Sequence, residues 1–274
     1  MERDSEIANY LKRVGRMPDA EIDIAETALA LAALDVPGVS LGPYREHLAM
    51  LGAAPGSRPA ANAVDQAEAL RWAIHDRFGY EGDALTYDDP ENANLMRVID
   101  RRKGLPVALG ILYIHAGRCQ GWRVAGLVFP GHFLVSVTVG RDRLVLDPFA
   151  GGRRLDAEAL RALVKKIMGE GAALRPEYTA SAGSRNVLLR LQNNLKSRAL
   201  TAHKPQRAVE VLKSMVTIAP EEATLWHELG NVEAELGQLQ GARQAFEAVV
   251  RLAPAAALRE DALRQIDVLR RRLN

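Results

Sequence analysis

The stretch GLPVALGILYIHAGRCQGWRVAGLVFPGHFLVSV, residues 104–137, with LVLDPF at 144–149 close behind it, decides the fold. Pro106 suits the first position of a helix, because its missing N–H would have no intrahelical partner there. VALGILYIHAGRC can continue that helix and is apolar nearly all round, which places it in a core. Gly121 ends it. WRVAGLVF, HFLVSVTVG and RLVLDPF then carry the β-branched and aromatic residues of strands, with a hairpin between the last two. A buried helix followed by antiparallel strands predicts an α+β domain.

Upstream, DAEIDIAETALALAALD from about Asp19 is an alanine- and leucine-rich amphipathic helix with acidic residues in its first turn, where they suit the helix dipole. YREHLAMLGAA and AVDQAEALRWAIHDRFG read as further helices, so roughly the first ninety residues are helical. YEGDALTYDDPENANL is polar and turn-rich, and NLMRVIDRRKG predicts a short helix with Gly104 as its C-cap. Downstream, LDAEALRALVKKIMG returns to helix and PEYTASAGSRN reads as a linker. The expected first domain is residues 1–180, with its core at about 94–150, and residues 181–274 form a second.

That second part repeats itself. A shift of 34 residues lays Leu195 on Leu229, Ala208 on Ala242, Leu212 on Phe246 and Val216 on Val250, the period of tetratricopeptide repeats. Trp226, Leu229, Gly230, Ala242, Phe246 and Pro254 hold the signature places of the second copy, while Gln192 and Lys196 depart from them in the first. LREDALRQIDVLRRRLN looks like a terminal capping helix.

Composition bounds the function. The chain has 274 residues, 48% hydrophobic and 26% charged, enough to bury a real core. Its net charge of +2 comes from 36 basic and 34 acidic residues, so the overall field favours neither nucleic acid nor membrane. No nucleic-acid module declares itself. The start, MERDSEIANYLKRVGR, lacks a secretory apolar segment and no apolar run approaches membrane-spanning length, so the expectation is a cytoplasmic protein. One cysteine cannot make an intramolecular disulfide or a cysteine-based zinc site.

Residues 104–149 resemble the transglutaminase-like (papain-like) fold, whose members place a Cys at a helix N-terminus, a His on a following strand and an Asp on the next. With the repeats, and with YDDPENANLMRVIDRRKGLPVALGILY and FPGHFLV, the chain looks like the bacterial SirB-one family. The resemblance implies an α+β helix-plus-antiparallel-sheet core after a helical N-terminal region, followed by an all-α array of helical hairpins. It carries the triad histidine to His132 and the aspartate to Asp147. The cysteine place falls at Pro106 or beside it, yet no Cys, Ser or Thr occurs from Arg101 to Tyr113. Cys119 lies at the opposite helix end, where the dipole raises a thiol pKa, so it reads as an ordinary buried or half-buried residue.

His132 and Asp147 remain a relic or working pair, or simply two polar groups that satisfy each other and brace the hairpin. A turn centred between Arg141 and Asp142 leaves them four positions apart on one face, and a turn at Val139 and Gly140 opposes them directly. His115 on the core helix reads as a satisfied core histidine. With no close ligand spacing, His115, His132 and Asp147 do not suggest a metal, and no cofactor motif is present. RRK at 101–103 reads as a solvated helix end, with an acidic or phosphate partner as the alternative.

The favoured expectation is therefore a non-catalytic transglutaminase-like scaffold whose repeats bind a protein or peptide. Arg190, Asn193, Asn194, Lys196, Ser197 and His227 are the candidate contacts, because amide and cationic donors suit a peptide backbone or an acidic side chain. The competing expectation is a hydrolase or acyl-transferase that uses His132 and Asp147 without a cysteine nucleophile.

Overall fold

A computed structural model describes residues 2–253 and 255–273. The helices are α1 (Glu2–Val14), α2 (Ile24–Ala33), α3 (Gly42–Ala53), α4 (Ala63–Arg71), α5 (Leu95–Arg101), α6 (Pro106–Cys119), α7 (Ala157–Met168), α8 (Ser184–Thr201), α9 (Pro205–Ile218), α10 (Ala223–Glu235), α11 (Leu239–Leu252) and α12 (Ala256–Leu273). The strands are β1 (Glu81–Gly82), β2 (Lys103–Gly104), β3 (Arg123–Leu127), β4 (Val135–Val139), β5 (Asp142–Asp147), β6 (Arg153–Leu155) and β7 (Ser181–Ala182). The chain divides into two compact units, one of residues 18–191 and one of residues 1–17 with 192–274. The first seventeen residues thus group with the repeats, and the division falls inside α8.

In the unit of residues 18–191, β6-β5-β4-β3-β7 form a five-stranded sheet whose pairings are all antiparallel. α6 starts at Pro106 and is buried along nearly its whole length. Its end is a Schellman motif: Trp122 N–H donates to the Gly117 carbonyl and Gly121 N–H to that of Arg118, each at 2.9 Å, with Gly121 at φ +72°. α6 approaches the sheet through its glycines. A Cβ on Gly110 would collide with the Phe133 ring, and one on Gly117 with Val124. Leu127, Phe129, Leu134, Val145 and Leu155 from the sheet region pack with Leu160 and Val164 of α7.

The hairpin register matches neither alternative left by the sequence and falls between them. Val139 pairs with Asp142, so the turn is Gly140–Arg141, with Gly140 at φ +58°. Several boundaries differ from expectation: α2, expected from about Asp19, starts at Ile24 behind the Asp23 cap, because that carboxylate accepts the N–H groups of Ala25 and Glu26. α5 is closed not by Gly104 but by Arg102 at φ 59°, while Gly104 pairs in β2 with β1. The helix after α4 loosens into a π turn at Trp72–Arg77. The segment read as a linker supplies β7, which pairs with Gly126 and Leu127, and the first residues of α8. Two residues are too short to leave a periodic trace in sequence.

In the other unit, α1 packs on α9 and the repeat helices follow in neighbouring pairs, with α10 on α9, α11 on α10 and α12 on α11. A Cβ on Gly230 would collide with the buried Phe246 ring, so the signature needs a small residue there. Leu229 and Ala242 are buried, and the indole of Trp226 donates to the Pro220 carbonyl at 2.9 Å. Pro254 lies outside the described residues. The irregular first copy is also accommodated: Gln192 is buried and accepts from the Ser214 hydroxyl at 3.3 Å, while Lys196 is buried and ion-paired to Glu228. Where the second copy sets Gly230 against Phe246, the first has Lys196 and the smaller Leu212 at the same places.

Candidate functional site

His132 and Asp147 meet. His132 sits in the bend between β3 and β4, not on a strand, and its Nε2 is 2.9 Å from Asp147 Oδ1. Asp147 ends β5, and the same oxygen accepts the backbone N–H groups of Phe149 at 3.0 Å and Ala150 at 3.3 Å, capping the turn Pro148–Ala150. One carboxylate therefore serves as the histidine's partner and as a turn cap. The imidazole meets the Phe149 ring edge-on, with centroids 6.3 Å apart. Arg190 holds the bend from behind, its guanidinium donating to the Phe129 carbonyl at 2.8 Å and the His132 carbonyl at 2.6 Å.

The place that the resemblance gives to the nucleophile holds no thiol or hydroxyl. Pro106 occupies the first position of α6, where exposed N–H groups would lower a thiol's pKa, and it carries no acidic group. The Tyr113 hydroxyl, about two turns further along α6, is buried without a hydrogen-bond partner among the described residues, and burial first, with the charges of Asp76 and Asp147 after it, pushes it well above the ordinary phenol range. A neutral buried phenol is no substitute for a thiolate.

Cys119, at the far end of α6, is exposed where a buried or half-buried position was expected. Its thiol is still pushed up, chiefly by partial desolvation and then by Asp23. His115 does not activate it. The Nε2 of His115 lies 2.9 Å from the Leu48 carbonyl and 3.7 Å from the sulfur; donating to the carbonyl, it cannot accept the thiol proton, and Nδ1 is 4.0 Å away. His115 is thus a satisfied core histidine. Among the described residues no group of three or more His, Cys, Asp or Glu is arranged to hold a metal ion.

The six candidate partner contacts fare unequally. Arg190 belongs to the unit of residues 18–191 and spends its donors on the two carbonyls above, so its assignment to a repeat groove is corrected. Lys196 is buried against Glu228, and His227 is 2.8 Å from Asp261 and 3.2 Å from the amide of Asn231. The side-chain oxygen of Asn194 accepts from Arg198 at 3.0 Å. Asn193 and Ser197 are the exposed members of the set. Helix periodicity marks long polar side chains as outward but cannot show which of them are answered by another helix.

One cluster was missed. Arg101 pairs with Asp83 at 3.0 Å and Lys103 with Glu81 at 3.2 Å, so the RRK run is not a solvated helix end. Arg102 between them turns onto His47 and Tyr80. Asp83 also accepts from the hydroxyl and the backbone of Thr86, which holds its carboxyl down at about 2. The acidic-partner alternative holds for Arg101 and Lys103, with partners on this chain.

These features define a helix-and-sheet domain of the transglutaminase type followed by a helical-repeat array. The chain matches the transglutaminase-like superfamily over residues 43–193, more than half its length, and belongs to that superfamily. Residues 195–274 match the tetratricopeptide repeat, an architecture that presents surfaces to other proteins. The chain is 33% identical over 186 residues to a UPF0162 protein of Xylella fastidiosa, covering 66% of each chain. It is 29% identical over 228 residues to one of Pseudomonas aeruginosa, covering 79% of this chain and 82% of that one. It is also 24% identical over 138 residues to human F-box only protein 21, covering 47% of this chain and 21% of that protein. No helix among the described residues is long and apolar enough to cross a membrane.

Proposed function

We propose that this protein is a non-catalytic transglutaminase-like scaffold, of the SirB-one kind, whose repeats bind a protein or peptide partner in the cytoplasm. The observation that carries this reading is Pro106 at the start of α6, where an acyl-transfer enzyme of this fold needs a thiolate. The bend that holds His132 is tied instead into structure, through the Asp147 cap and Arg190. The match to one fifth of a much longer mammalian protein agrees with a module reused as a folded platform. Asn193 and Ser197 on α8 are the exposed donors of the proposed contact surface.

A second reading keeps one specific support. The His132–Asp147 pair retains the 2.9 Å geometry of a general base with its orienting carboxylate. A hydrolase built on it would activate water directly. Peptide, amide and ester substrates presented to the full chain decide between the two readings. No turnover is expected, while turnover abolished by His132→Ala with an unchanged melting temperature would overturn the scaffold reading. In parallel, Asn193→Ala with Ser197→Ala should weaken capture of partners from a lysate of a related bacterium without lowering stability. Unchanged capture would remove these residues from the contact surface.

A further inference from the structure

Arg102 closes α5 at φ 59°, a left-handed conformation that glycine takes freely and other residues adopt at a cost of order 1 kcal/mol or more. Its side chain therefore has to be accounted for. The Nη1 atom lies 2.6 Å from His47 Nε2 and within hydrogen-bond distance of the Tyr80 hydroxyl, and these two groups are themselves 2.7 Å apart. The guanidinium carbon also stands 4.8 Å from the Tyr80 ring centre.

Neither neighbour neutralises the guanidinium. Burial, and then the arginine's own charge, lower His47 to about 4, so the imidazole is neutral at physiological pH. Tyr80 is almost wholly buried and its phenol is pushed far up, again chiefly by burial. Among the described residues no carboxylate lies within ion-pair distance of Arg102. Donor accounting sharpens the point. The two N–H groups of Nη1 suffice for His47 and Tyr80, while Nη2 has only His47 Nδ1 at 3.5 Å, which must itself carry a proton if Nε2 accepts. Among the described residues, three donors on Nε and Nη2 are left without an acceptor, in the side-on arrangement that grips a carboxylate with two parallel hydrogen bonds.

The arginine lines an open cleft of about 500 Å³ whose other walls include Val39, Pro43 and Ile99. On its rim the Tyr44 hydroxyl donates to Asp100 at 3.1 Å, and Asp100 is 3.9 Å from Arg97. A carboxylate on the rim penalises a ligand with more than one negative charge, so the cleft does not suit a phosphate dianion. We propose that this cleft binds a small monocarboxylic acid, its carboxylate taken by Nε and Nη2 of Arg102 and its apolar body lying on Val39, Pro43 and Ile99. This site is separate from the His132–Asp147 pair and does not depend on whether that pair is catalytic.

The test titrates the full chain with sodium butyrate and follows the Arg102 Nε–H resonance, with sodium chloride and sodium phosphate at matched ionic strength as references. A saturable shift at millimolar butyrate is expected, with a weaker response to phosphate. Arg102→Gly removes the fork but fits the backbone, leaving His47 and Tyr80 to each other. Followed through the Ile99 amide resonance, that variant should melt no lower than the parent and lose butyrate affinity by about tenfold or more. Arg102→Lys keeps the charge without the fork, and read the same way it should bind several-fold more weakly. The proposal is overturned by an unsaturable response in the parent chain, by phosphate binding as well as butyrate, or by full affinity in either variant.

Discussion

Replacing Asp147 should cost more than replacing the histidine it holds. Asp147 Oδ1 accepts three donors: His132 Nε2, and the backbone N–H groups of Phe149 and Ala150. Asp147→Ala removes a turn cap, worth about 1 kcal/mol. It also leaves a half-buried imidazole N–H without its acceptor, worth about 1 kcal/mol at the lower end of the range for such groups. The expected loss is about 2 kcal/mol. His132→Ala removes only one of the three donors and leaves the cap intact, so about 1 kcal/mol is expected.

The measurement is equilibrium unfolding in urea. Trp72 and Trp122 lie in the unit of residues 18–191 and Trp226 in the other, so a Trp226→Phe background makes fluorescence report the unit that contains the pair. The double variant should then show a coupling of about 1 kcal/mol. A His132→Ala loss equal to or larger than that of Asp147→Ala would refute the cap as the main role of this carboxylate.

Three further outcomes are expected. Gly110→Ala should destabilise by about 1 kcal/mol in urea unfolding, because overpacking against Phe133 outweighs the gain in helix propensity; a stabilised variant would show that α6 and the sheet are less close than described. Folded His47 takes up its proton only near pH 4, whereas an unfolded histidine does so near 6.5. Stability should therefore be full above 6.5 and fall by at most about 3 kcal/mol between 6.5 and 4, a slope that His47→Gln should reduce and that urea midpoints across this range would reveal. Cys119, exposed but with a raised pKa, should react with a disulfide reagent at neutral pH more slowly than free glutathione, and a faster reaction would mean an activating neighbour.

What the sequence disclosed was local or periodic. Pro106 and Gly121 bracket α6 because each acts through its own backbone. The repeat announced itself because Gly230 and Phe246 answer a spacing constraint that recurs along the chain. The pairing of His132 with Asp147 could be expected from resemblance, but not the bend that carries His132, since no periodicity marks a loop. Arg190 and Lys196 escape the sequence for the opposite reason. Each looks like a surface side chain by composition, and each is answered by groups 32 to 61 positions away, which no local window contains.

The sheet ends in strands of three residues at β6 and two at β7. Two of the three in β6 are the arginines Arg153 and Arg154, and such short, charged edges offer little to a stray strand. β7 lies beyond residue 180, so a chain cut there would uncover the backbone of Gly126 and Leu127 and also lose the arginine that ties down the bend at His132. Such a fragment would present a hydrophobic strand edge to its copies and should self-associate, whereas one running through Leu191 keeps its own guard.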